Sequence, residues 1–124
     1  GLRVQASGLQ ALVNVERPTM VAAMVAILEN ALQVSQDAGE IVLTGQSDGA
    51  RLQFVVDDAG PGIPNEMMAS LFEPFATSRI NGTGLGLSIA RNAVEAHRGE
   101  ILASNRAEGG ARFSISIPCI AEFS

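Results

Sequence analysis

Asn81-Gly82-Thr83-Gly84-Leu85-Gly86-Leu87 places three alternating glycines where a loop turns into a helix. A helix start exposes unpaired backbone N–H groups and the positive end of the helix dipole, a natural seat for an anion such as phosphate. Glycines there let the backbone approach a ligand closely and adopt positive φ without a Cβ penalty. Leu87, Ala90, Ala93, Val94 and His97 then recur at helical spacing, and Gly99 offers a stop. Taken alone, the stretch fits either a phosphate-binding loop or a tight turn packed on a sheet, so the flanking segments decide.

Downstream, residues 100–104 and 111–118 read as a closing hairpin with Phe113, Ile115 and Ile117 alternating inward. Upstream, residues 41–44 and 51–56 read as strands joined by a turn at Asp48-Gly49, and residues 66–72 as a short helix that Pro74 ends. Residues 21–35 form a longer helix, with Pro18 suited to its first turn. Its apolar face is expected to be Val21, Met24, Val25, Leu28, Ala31 and Leu32. Ala22, Ala23, Ala26, Asn30 and Gln33 make a second face, small and uncharged, that invites close approach by a ligand or another segment. Residues 2–6 and 10–15 alternate around Ser7-Gly8 and predict a small hairpin. The order ββ-α-ββ-α-α-ββ predicts an α/β sandwich: a mixed, largely antiparallel sheet of five or so strands with about three helices on one face.

A chain of 124 residues supports one domain, spanning 1–124. Its net charge of −5, with no basic cluster longer than two residues, argues against nucleic acid as a partner. The absence of Trp and Tyr leaves few base-stacking platforms. No run of 18 apolar residues suggests a membrane span, and no secretory signal is visible at the N-terminus. The one cysteine, Cys119, excludes an internal disulfide and reads as a small residue at a strand end in a cytoplasmic domain. An acidic chain still binds a nucleoside triphosphate if Mg²⁺, a helix N-terminus and a placed arginine compensate locally.

Four side-chain groups fit that requirement. Asn30 sits in mid-helix, where Ala or Leu would be better, and its amide oxygen is a hard ligand suited to Mg²⁺; the alternative is a solvent-facing Asn. Glu29 beside it could polarise a water or accept a proton, or simply be a charged surface residue. Asp58-Ala59-Gly60-Pro61-Gly62 ends a strand and puts a carboxylate at the sheet rim. A carboxylate only accepts hydrogen bonds, so it pairs with the adenine amino group and repels the acceptor of guanine; an Asp-Gly turn is the plainer reading. Leu71-Phe72-Glu73-Pro74-Phe75 can anchor a lid of about residues 65–83, in which Arg79 is the cation best placed to meet a terminal phosphate or else solvent.

In order, Leu28-Glu29-Asn30-Ala31-Leu32, Asp58-x-Gly60-x-Gly62, Phe72-Glu73-Pro74-Phe75 and Gly82-Thr83-Gly84-Leu85-Gly86-Leu87 closely resemble the N, G1, F and G2 boxes of sensor histidine kinases. The resemblance spans nearly the whole chain and implies a Bergerat-type (GHKL) fold that binds Mg-ATP. By it, Asn30 holds Mg²⁺ and acts with Glu29 and Arg79 in catalysis. Asp58 reads adenine beside Gly60, Gly62, Ile63 and Phe75. Gly82, Thr83, Gly84, Leu85, Gly86 and Leu87 line the phosphate path. It further implies transfer of the ATP γ-phosphoryl group to a histidine on a separate dimerisation domain, absent from this chain, in cis or trans, with a response regulator downstream. His97 lies in the ordinary tail of the glycine helix and reads as structural. Ala26, Gln33-Val34, Arg98 and Ala111 depart from the usual pattern. Those departures leave open a degenerate regulatory module, and the fold a serine-kinase or anti-sigma switch.

Overall fold

A computed structural model of the chain describes residues 2–6, 13, 15–35, 39–48, 50–73 and 86–119. Among the described residues five strands form one sheet: β1 (Leu2–Ala6), β2 (Ile41–Ser47), β3 (Arg51–Asp57), β4 (Glu100–Asn105) and β5 (Ala111–Pro118), in the order β1-β2-β3-β5-β4. Among the described residues the helices are α1 (Arg17–Ser35), α2 (Asn65–Met68) and α3 (Gly86–Ala96). The α/β sandwich expected from the sequence is borne out, with β2, β3, β5 and β4 antiparallel and β1 joined to them in parallel.

The hairpin expected at the N-terminus is corrected. β1 pairs with β2, Leu2 against Ile41, and Val13 and Val15 lie outside any strand. A parallel pair needs a long crossover, which α1 supplies. Alternation along residues 2–6 signals a strand but cannot name its partner. Residues 10–12 and 14 lie outside the described residues.

One face of the sheet carries the core. Phe113, Ile115 and Ile117 of β5 are at most 2% exposed, and Val56, Ile41 and Ile101 join them. From above, Ala23, Ile27 and Ala31 of α1 and Leu87, Ala90 and Val94 of α3 close the layer. The core face of α1 therefore differs from the expected one. Val21, Val25 and Leu32 are 53%, 44% and 55% exposed, while Met20, Ala23, Ile27, Asn30 and Ala31 turn inward. α1 is apolar on most sides, so its periodicity carries little direction. The small residues decide instead: α1 packs lengthwise on α3, where Ala23 and Ala31 meet a helix that buries Ala90 and Ala93. By length and composition α1 could cross a membrane, yet here it is the central helix of the sandwich.

The short helix is shorter than expected, ending at Met68 and continuing as turns in which Ser70 and Glu73 donate to Met67 and Ser70 carbonyls. α3 stops as expected before Gly99, by a Schellman pattern: Gly99 N–H donates to Val94 O and Arg98 N–H to Glu95 O. The left-handed residue of that cap is Arg98, at φ 62°, where glycine would carry no strain.

Candidate functional site

Strand β3 alternates its side chains, so its last residue and the one after it part company. Asp57 points to the open face of the sheet, where Arg112 Nε and Nη2 donate to its two carboxylate oxygens at 2.6 and 3.0 Å. That hydrogen bond, reinforced by the carboxylate charge, holds the Arg112 guanidinium above its ordinary pKa. Asp58 turns the other way and is 1% exposed. Its Oδ1 accepts from the Gly60 and Ala111 N–H groups, each at 3.0 Å. Its Oδ2 is buried and has no partner among the described residues.

An orphaned buried carboxylate oxygen costs about 1–3 kcal/mol or more, and native structures rarely keep one without a use. Asp58 lines a cavity of about 270 Å³ between the sheet and the helices. Most of its wall is apolar, from Val34, Ile63, Met67, Leu71, Leu87 and Phe113. Asn30 also lines it and is 8% exposed. An apolar slot with one amide and one acceptor-only carboxylate suits a flat heterocycle that carries an exocyclic amino group.

The turn that presents Asp58 is held closely. Ser35, at the end of α1, accepts from the Ala59 N–H at 3.0 Å. A Cβ on Gly60 would lie 2.7 Å from the Val34 carbonyl oxygen, so glycine is what lets the turn approach α1. Gly62 stands at φ +89°, and its Cβ would meet Asn105 Oδ1 at 2.8 Å. Phe72 anchors the following segment edge-on against Phe113, with ring centroids 6.2 Å apart.

The residues singled out from sequence fall into three groups. Asn30, Asp58, Gly62, Ile63 and Leu87 come together around the cavity. Gly60 braces the turn behind it, Gly86 begins α3, and Glu29 is exposed and apart from the lining. Phe75, Arg79, Gly82, Thr83, Gly84 and Leu85 lie outside the described residues, as does most of the expected lid. Sequence reasoning missed Ser35, Val34, Met67 and the part played by Phe113 in the wall. Ser35 marked only the end of the helix in the sequence, and nothing local pointed to its part as an acceptor for the turn.

A wider depression of about 630 Å³ lies at the far end of α3, beside Glu16, His97 and Cys119. There His97 donates from Nδ1 to the Ala93 carbonyl at 2.7 Å and accepts at Nε2 from the Glu16 N–H at 2.9 Å. Both ring nitrogens are engaged in fastening the entry of α1 to the end of α3.

A sequence profile of the histidine kinase-, DNA gyrase B- and HSP90-like ATPases matches residues 16–120. The chain belongs to this ATPase family. Among its relatives, the sensor protein KdpD of Escherichia coli K12 is 38% identical over 111 residues, which cover 86% of this chain and 12% of KdpD. The catalytic domain of histidine kinase ThkA superposes with a TM-score of 0.85 at 30% identity, over 94% of this chain and 77% of that one. Full-length ShkA in complex with AMPPNP gives a TM-score of 0.82 at 26% identity, over 100% of this chain and 27% of ShkA. The resemblance to histidine kinase catalytic domains is thus borne out.

Proposed function

We propose that this chain is the ATP-binding catalytic domain of a cytoplasmic sensor histidine kinase segment. It would transfer the γ-phosphoryl group of ATP to a histidine on a separate dimerisation domain, for relay to a response regulator. The observation that carries the reading is the buried, unpartnered Asp58 Oδ2 on the wall of an apolar cavity that Asn30 shares. That oxygen accepts the adenine amino group, and the apolar wall takes the two faces of the purine.

The residues present fit magnesium. No cluster of three or more His, Cys, Asp or Glu able to hold a metal occurs among the described residues. Magnesium bound with a triphosphate does not need one, since it commonly keeps one or two protein ligands and takes the rest from phosphates and water. Asn30 would hold it by its amide oxygen. When bound, the ion neutralises charge that develops on the phosphoryl oxygens.

This chain's own part is positioning. Asp58 sets the depth of the base, Leu87 and Ile63 exclude water around it, and the start of α3 receives the phosphates. Arg79, Glu29 and the glycines from Gly82 to Gly86 are proposed for the terminal phosphate, on the strength of the motif alone. Ala111 favours a second reading, a weakly binding regulatory module, because on the cavity wall it departs from the usual pattern of the kinases this chain resembles.

A phosphotransfer assay with γ-labelled ATP, magnesium and a supplied histidine-bearing helical hairpin tests the proposal. Acid-labile label on the hairpin histidine is expected. Label on serine would favour the switch class, and a chain that transfers nothing while retaining its fold would favour the regulatory module.

A further inference from the structure

The turn from Asp58 to Ile63 is gripped from across the sheet by two consecutive residues, Asn105 at the end of β4 and Arg106 just after it. The Asn105 side chain accepts from the Ile63 N–H at 2.6 Å and donates to the Ile63 carbonyl at 2.9 Å. One amide thus captures both backbone groups of a cavity-lining residue, as a strand partner would. Arg106 Nη1 donates to the Asp58 carbonyl at 3.1 Å and to the Gly109 carbonyl at 3.1 Å. Its Nε stands 3.8 Å from Asp57 Oδ1, and its side chain is only 22% exposed.

These bonds act on one peptide unit from both sides. Arg106 holds the carbonyl of the Asp58–Ala59 peptide, while Ser35 Oγ holds its N–H. The plane of that peptide sets the direction in which the Asp58 carboxylate leaves the backbone. The far end of the turn is fixed by Asn105 at Ile63. The hairpin behind them is itself closed, with Arg106 N–H donating to Gly110 O and Gly109 N–H to Arg106 O. An ordinary hairpin turn requires neither side chain to reach another loop.

We infer that Asn105 and Arg106 are positioning residues for base recognition: they hold the Asp58–Ile63 turn so that the free carboxylate oxygen meets an adenine amino group in register. The inference rests on the nucleotide reading above. A hydrogen bond that must meet a fixed donor loses strength steeply with misalignment, so a loosened turn costs discrimination more than general binding.

The test compares the full chain with Arg106→Ala, Arg106→Lys and Asn105→Asp, the last putting an acceptor against the Ile63 carbonyl. Affinities for the β,γ-imido analogues of ATP and GTP, with magnesium, are measured by calorimetry, alongside amide exchange. Arg106→Ala and Asn105→Asp are expected to cut the adenine-over-guanine preference about tenfold, as expected for losing one charge-assisted bond. Arg106→Lys is expected to restore most of it. Exchange should accelerate at Ile63 in Asn105→Asp, because repulsion between the carboxylate and the Ile63 carbonyl opens the turn although an acceptor for the Ile63 N–H remains, and at Ala59 in Arg106→Ala. A wild-type preference left intact in both variants would overturn the inference, as would unchanged exchange at those two amides. A wild-type chain that binds neither analogue would instead overturn the nucleotide reading, and base selection with it, while exchange still reports whether the clamp exists.

Discussion

Asp58→Asn separates the structural role of the carboxylate from the base-reading role proposed for it. The Oδ1 atom accepts two backbone N–H groups, from Gly60 and Ala111, and an asparagine oxygen keeps both. Those bonds fix the amide orientation, so the NH₂ group replaces Oδ2, the atom that has no partner among the described residues. Stability is therefore expected to change by no more than about 1 kcal/mol, because one unpartnered buried polar atom gives way to another of nearly the same shape. Binding is expected to fall. The charge-assisted bond to the adenine amino group, worth about 1.5–3 kcal/mol, is lost, and two N–H donors now face each other. The dissociation constant of an ATP analogue should rise about 10- to 150-fold. Calorimetric titration gives the affinity, and urea unfolding of the unliganded chain gives the stability. Unchanged affinity would refute the base contact. A large loss of unliganded stability would refute the claim that Oδ2 is unused in the fold.

Two further outcomes follow from the geometry. Gly109 and Gly110 both have positive φ, +108° and +86°, but a Cβ on Gly109 meets nothing within 4 Å, whereas one on Gly110 falls 2.0 Å from the Asp58 carbonyl oxygen. Gly109→Ala should cost about 1–2 kcal/mol of backbone strain alone, while Gly110→Ala should cost more and also weaken nucleotide binding; equal melting temperatures for the two would reject the steric account. Asp48 accepts from the Arg51 and Ala50 N–H groups, each at 2.9 Å, and the Arg51 bond chiefly, then the Ala50 bond, lowers its pKa below 3.8. Its contribution is present above the unfolded carboxyl pKa and fades as pH falls through the lower folded value, so the stability difference between wild type and Asp48→Ala should shrink in acid. A difference that grows on acidification would show the sign to be wrong.

Much of this site is legible in the sequence. The Asn30, Asp58 and glycine motifs identified the family because their chemistry is carried by rare residue types at set spacings. Strand positions on β5 were clear from alternation at Phe113, Ile115 and Ile117. Pairing was less clear, since β1 finds its neighbour across a helix and no local pattern encodes that. The inward face of α1 was misread because Val21, Val25 and Leu32 outweigh Ala23 and Ala31 in hydrophobicity, while close helix packing rewards small size. Asn105 and Arg106 gave no signal at all: they act through backbone groups far away in the chain, and such groups leave no mark on composition.

The cavity draws its walls from two layers, Asn30 and Leu87 from helices, Asp58, Ala111 and Phe113 from the sheet and its rim. Anything seated there touches both at once and resists any slippage of one over the other. Occupancy is then coupled to the shear stiffness of the whole sandwich, and a ligand that prefers the folded chain raises its melting point by mass action.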